Sequence, residues 1–150
     1  MHEIIEVVAV LVVTILTGVE LSIALFVHPV LFRIEDAAHA QAAKLLAGVL
    51  GTVMPFWYAG ALVSAVAVVM SRSYGTGSWW AGLSSACLLA GSIVYSLAGP
   101  VPINNRTAAL QLHALPSDWK QDRRRWDRLH AIRVVVLVAA SALLVTAAAI

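Results

Sequence analysis

Asp127, His130 and Arg133 follow one another at steps of three residues and so run along one side of a helix. Arg133 falls inside an apolar stretch long enough to cross a membrane, where a cation at mid-helix costs roughly 2.5 to 3.5 kcal/mol on insertion scales. A charge kept against that cost usually has work to do. Glu20 is a second charge deep in an apolar stretch, and a long Arg133 side chain reaching inward can meet its carboxylate as an ion pair. His28 stands near the end of the first stretch and His130 near the start of the last, both roughly 5 Å deep at 1.5 Å per residue. Two imidazoles at one level open another chemistry: a metal ion or haem held by His28 and His130, with Glu20, Asp127 or Asn104 adding oxygen donors. A membrane carboxylate such as Glu20 also suits proton-coupled export of a small molecule. Helices lined by Ser and Gly equally suit a non-catalytic assembly subunit.

These residues must be positioned by membrane-spanning helices. The chain has 150 residues, of which 61% are hydrophobic and 12% charged, with a mean hydropathy of +0.87, far more apolar than a soluble domain of this length. It reads as a single all-α transmembrane domain over 1–150, with spans at about 7–32, 45–70, 79–101 and 129–150. A start bearing Glu3 and Glu6 and a long apolar run do not make a secretory leader, so the first span is expected to be retained. The single Cys87 excludes an intrachain disulfide and reads as a small packing residue. No nucleic-acid partner is expected; a lipid bilayer is, and a homo-oligomer remains open.

Charge sets the expected orientation. The first and third connections carry Arg33, Lys44, Arg106, Lys120, Arg123, Arg124, Arg125 and the flanking Arg128, whereas the termini and the middle connection carry only Arg72. Positive charge marks the cytoplasmic side, so both termini are expected outside, in a bacterial inner or plasma membrane. The polar residues then share the cytoplasmic half.

Helical periodicity agrees. Thr14, Thr17, Glu20, Ala24 and His28 form a small and polar stripe on the first span, and Gly82, Ser85, Ser92, Ser96 and Gly99 form one on the third. Gly48, Gly51, Pro55 and Tyr58 make a comparable face on the second, with Pro55 expected to kink it. Small residues let backbones approach, which predicts a tight four-helix bundle. Trp79 and Trp80 follow the turn Gly75-Thr76-Gly77-Ser78 as interfacial anchors. The third connection is long and basic: Pro100 and Pro102 are expected to end the third span, Ser117 or Asp118 to cap the next helix, and Trp119 and Trp126 to lie at the interface. This loop suits a lid or a holder of lipid headgroups. His2, His39 and His113 read as solvent or headgroup residues.

Pro102-Ile103-Asn104, then Trp119, then Arg125-Trp126-Asp127-x-x-His130-x-x-Arg133, together with His28-Pro29, resemble the anthrone oxygenase-like family of small four-span membrane proteins. The resemblance implies a membrane-embedded enzyme that uses dioxygen to turn an anthrone-like hydrophobic aromatic into its quinone, without an organic cofactor. It marks Asn104, Asp127, His130 and Arg133 as site candidates through their match to the pattern. An anthrone carries acidic protons beside its carbonyl, so oxidation can start with proton removal by His130 or Glu20, with Arg133 and Asn104 stabilising the enolate oxygen. Asp127, one turn before His130, either orients that imidazole or is a helix N-terminal charge facing the headgroups.

Overall fold

The computed structural model describes residues 2–150, and among these it is all-helical. Four long helices are apolar enough to cross a membrane: α1 (His2–Leu31), α2 (Asp36–Ser71), α3 (Gly77–Ala98) and, after a short fourth helix, α5 (Trp119–Ala149). The short helix α4 (Pro100–Ala108) lies in the third connection. Contacts run α1 to α2, α2 to α3, α3 to α5 and α5 to α1, which makes a closed four-helix bundle with α4 wedged against α2, α3 and α5.

An ion pair of Arg72 with Glu6 at 2.9 Å ties the turn between α2 and α3 to the chain start, and Ile150 lies beside Gly77 of that turn. Both termini therefore share one end of the bundle. At the opposite end the basic residues tie the connections together. Lys44 Nζ donates to the Leu110 carbonyl at 2.7 Å, Lys120 pairs with Asp36, and Arg106 grips Asp122 through two bonds of 2.8 and 2.9 Å.

Alanine and medium-sized apolar side chains fill the centre: Ala9, Val13 and Leu16 of α1, Ala61, Ala65 and Val68 of α2, Leu89 of α3, and Leu137, Ala140 and Leu144 of α5. Hydroxyls stitch the helices where lipid gives no hydrophobic drive for association. Thr17 and Ser141 share a bond of 2.7 Å, and Ser85 donates to the Ala140 carbonyl at 2.8 Å.

Several expectations are corrected. Helices α1, α2 and α5 are longer than the apolar windows because charged and polar ends continue them beyond the apolar layer. At 36 residues, α2 is about 54 Å long, well past the roughly 30 Å of a hydrocarbon core. The third span stops at Ala98. Gly99 breaks it, and Pro100 and Pro102 start α4 rather than simply ending α3, since proline is at home in a first helical turn. The last helix begins at Trp119; Asp118 precedes it but makes no side-chain cap bond, and Ser117 is not the cap. Trp119 and Trp126 are buried, as is His39, which packs edge-on between Phe32 and Trp119. Cys87 is exposed on the outer face of α3 rather than packed inside. Of the α2 face, only Tyr58 is buried, while Gly48, Gly51 and Pro55 are exposed.

Helix α1 holds an irregularity that places the site. Ile23–Val27 form a π-helical turn, closed by the His28 N–H bonding the Ile23 carbonyl. Eight residues in a regular α-helix would carry His28 about 80° away from Glu20 at 3.6 residues per turn. The extra residue taken up by the π turn swings His28 back toward the Glu20 side, and both are buried.

Candidate functional site

Glu20 is the hub, only 1% exposed. Its Oε2 accepts from Arg133 Nη2 at 2.8 Å, and its Oε1 accepts from the Tyr58 hydroxyl at 2.9 Å. Arg133 Nη1 donates to Ser96 Oγ at 3.2 Å. All four spanning helices thus send one or more side chains to one carboxylate and its guanidinium. The ion pair expected between Glu20 and Arg133 is formed, and its burial is made tolerable by these extra bonds.

His130, also 1% exposed, completes the cluster. Its Nε2 is 3.1 Å from the Glu20 backbone carbonyl, which can only accept, so Nε2 carries the proton. Nδ1 is then the lone pair that accepts from Arg133 Nη2 at 3.0 Å. Glu20 Oε2 lies 3.2 Å from the same Nδ1. A proton arriving on the carboxylate therefore has a neighbouring nitrogen within transfer distance.

Next to this cluster, His28 Nδ1 bonds Asp127 Oδ1. Asp127 consequently orients His28 and not His130, and it lies well inside α5 rather than in its first turn, where Asp122 stands. Trp126 stacks on both imidazoles, at 4.8 Å from His28 and 4.6 Å from His130. The level placement of the two histidines holds: their ring centroids are 5.7 Å apart. The buried Arg123 guanidinium sits 4.7 Å from the Trp126 indole.

A cavity of about 280 Å³ opens against the cluster. Leu50, Gly51, Met54, Pro55 and Ala59 of α2 form one wall, and Ile93, Leu97, Pro100 and Val101 of α3 and α4 form the other. Glu20, Tyr58, Ser96, Trp126, His130 and Arg133 lie along it as well. Gly51, Pro55, Ala59 and Leu97 are exposed on the outside of the bundle, so the cavity opens sideways between α2 and α3, where the bilayer would be. Arg133 Nε and Trp126 Nε1 are buried donors without a protein partner. A ligand oxygen would relieve that cost.

Asn104 also borders the cavity, yet its Nδ2 donates to the Ala47 carbonyl at 3.1 Å and pins α4 to α2. It makes no bond to the Glu20 cluster. The sequence does not mark Tyr58, Ser96 and Trp126 as site residues: the first two lie on faces whose small residues predict packing, and an indole near a helix start predicts an interfacial anchor. Tyr58 and Ser96 carry one advance signal, the helical register they share with the stripes, and Trp126 carries another, its place in the Arg125–Arg133 motif.

His28, His130 and Glu20 do not make a metal-ligand set. His130 has a donor or acceptor partner at each ring nitrogen, Glu20 is bonded through both oxygens, and no group of three His, Cys, Asp or Glu residues suited to a metal occurs among the described residues. A ligating imidazole needs a free nitrogen lone pair.

Sequence comparison matches residues 49–143 to the family described as anthrone oxygenase. The match takes in Tyr58, Ser96, Asn104, Trp126, Asp127, His130 and Arg133, and leaves Glu20 and His28 of α1 before it. No curated protein and no solved structure matches the chain.

Proposed function

The chain belongs to the anthrone oxygenase family, and we propose that it oxidises a flat, hydrophobic hydroxyaromatic ketone of the anthrone type with dioxygen, inside the membrane. The observation that carries this reading is the buried Glu20, Arg133, His130 and Tyr58 cluster set on a largely apolar cavity that opens toward lipid. A substrate dissolved in the bilayer reaches such a cavity without crossing water.

The chemistry needs one base and one oxyanion site. Glu20 removes a proton from the methylene carbon beside the ring system, and the electron pair left behind delocalises onto the carbonyl oxygen as an enolate. Arg133, whose Nε lacks a protein partner, and the Trp126 N–H supply donors for that oxygen. Dioxygen takes electrons from the carbon and bonds to it as a peroxide anion, the anion takes up a proton to become the hydroperoxide, and loss of one water, with the remaining C–H hydrogen and the outer oxygen, leaves the second carbonyl. One dioxygen is consumed for each quinone and water formed, so no external reductant is required. His130 takes the proton onward from Glu20 across 3.2 Å. Asn104 acts by holding α4 against α2 and so shaping the cavity roof.

The charge distribution supports placing the cluster in the cytoplasmic half, with both termini outside. The test is oxygen uptake by the detergent-purified, chelator-treated protein with anthrone, followed together with quinone absorbance. The reading expects one dioxygen per quinone at a rate well above protein-free micelles. Uptake no faster than in empty micelles would count against it.

A further inference from the structure

The first half of α5 carries positive charge that the bundle does not use. Its two carboxylates are engaged, Asp122 by Arg106 and Asp127 by His28, and Arg123 is buried against Trp126. Arg124, Arg125 and Arg128 are exposed, and none has a carboxylate within ion-pair distance among the described residues. Arg124 and Arg128 head a single exposed stripe. With Ala131, Val135 and Val138 they follow steps of four and three, so all five lie on one face of the helix. The stripe passes from guanidinium to hydrocarbon within one turn. From Arg128 to Val138 it runs about 15 Å, half of the roughly 30 Å hydrocarbon core, which is the depth of one leaflet.

A second recess, of about 330 Å³, opens where the polarity of this stripe changes, between the end of α1 and the first half of α5. Arg128 and Ala131 border it from α5, and Pro29 and Phe32 from the end of the first span; all four are exposed. Ala24 and Asp127, less exposed, and the buried His28 line its inner side. The recess is therefore a hollow on the outer surface of the bundle, apolar over most of its rim, with a guanidinium at its edge. We propose that the recess and the stripe hold one anionic phospholipid, its phosphodiester on Arg124 and Arg128 and an acyl chain along Ala131, Val135 and Val138. The site is independent of the oxygenase reading.

Charge selects the headgroup. Guanidinium groups bind phosphate oxygens through charge-assisted bonds, and each basic side chain close to an anionic membrane surface adds about fivefold to binding. Asp127 is the one carboxylate bordering the recess, and its Oδ1 is taken by His28. Two unpaired arginines on the stripe against that single carboxylate leave a positive excess, which an anionic headgroup neutralises and a zwitterionic one does not. A second copy of the chain in the same membrane brings its own arginines to the same level, so like charges oppose that occupant.

The experiment places the intact protein in bilayers of equal parts phosphatidylglycerol, phosphatidylethanolamine and phosphatidylcholine, then reads by native mass spectrometry which lipid it keeps after release into detergent. The wild type is expected to keep one phosphatidylglycerol, in roughly tenfold or greater preference to either zwitterionic lipid. Arg128→Gln is expected to lower that retention about fivefold, and Ala131→Phe, which fills the recess at unchanged charge, to lower it too. Arg125→Gln removes the same charge from a neighbouring face and is expected to leave retention nearly unchanged. Equal retention of the three lipids, equal losses in Arg125→Gln and Arg128→Gln, or full retention in Ala131→Phe each overturn the site. A lipid-free dimer that Ala131→Phe breaks also overturns it, giving the recess to a second copy. All three positions are exposed, so the denaturation midpoint is expected to hold; lipid lost only together with a lowered midpoint marks a loosened bundle and overturns the site.

Discussion

At the scale of single residues, Glu20 concentrates both stability and chemistry. It holds bonds to α2 and α5 while almost wholly buried, so leaving its partner unpaired is expensive. Arg133→Ala is expected to cost about 3 to 5 kcal/mol, read as a lowered denaturation midpoint in detergent. The double variant Glu20→Gln, Arg133→Gln should recover a good part of that loss, since it strands no charge; equal destabilisation of the single and double variants would show that the pair is not the source. Tyr58→Phe removes one bond to the carboxylate and keeps the ring. About 0.5 to 1.5 kcal/mol is expected from a typical hydrogen bond, and up to about 3 kcal/mol for one to a charged group. The Glu20 and Arg133 pair was legible in the sequence because two opposite charges at compatible depths in an apolar chain have few other partners. Tyr58 is not, because a tyrosine on a Gly- and Pro-containing face carries no sign that its hydroxyl turns toward a carboxylate on the neighbouring helix.

At the scale of helices, the informative departures lie where the backbone is irregular. The π turn at Ile23–Val27 brings His28 round to Glu20, and nothing in the residue types of Ile-Ala-Leu-Phe-Val announces it; the steps of three and four in the stripe reached the right face without revealing how. Prolines end helices and so predict a loop for the third connection, but two prolines also fit a first turn, and α4 then becomes the roof of the cavity. Gly51 matters here because a Cβ would sit 3.4 Å from Asn104 Nδ2 at the cavity mouth. Gly51→Leu should therefore raise KM for a bilayer-borne substrate while leaving helical circular dichroism intact; an unchanged KM would place the entrance elsewhere. The exposed Arg106 and Asp122 pair between α4 and α5 is expected to contribute within about 1 kcal/mol, so Arg106→Ala should barely move the denaturation midpoint.

For the whole molecule, the sequence made the bundle legible through four long apolar runs and small-residue stripes, since membrane burial leaves helices as nearly the only solution for the backbone. The cavity was not legible, because a hollow depends on which faces fail to meet, and sequence periodicity reports only which faces are small. Orientation is a claim about the assembly of molecule and membrane, and it can be checked directly. In a Cys87→Ser background, a cysteine at position 3 should react with an impermeant maleimide from the outside of intact cells, and one at position 113 only after permeabilisation; the reverse pattern would invert the topology. The central claim is that the buried carboxylate takes a proton from carbon. The most direct measurement is anaerobic exchange of the anthrone methylene hydrogens for solvent deuterium, comparing wild type with Glu20→Gln in the same micelles. The account predicts rapid exchange with wild type and only the protein-free rate with Glu20→Gln; equal exchange by both proteins would contradict it.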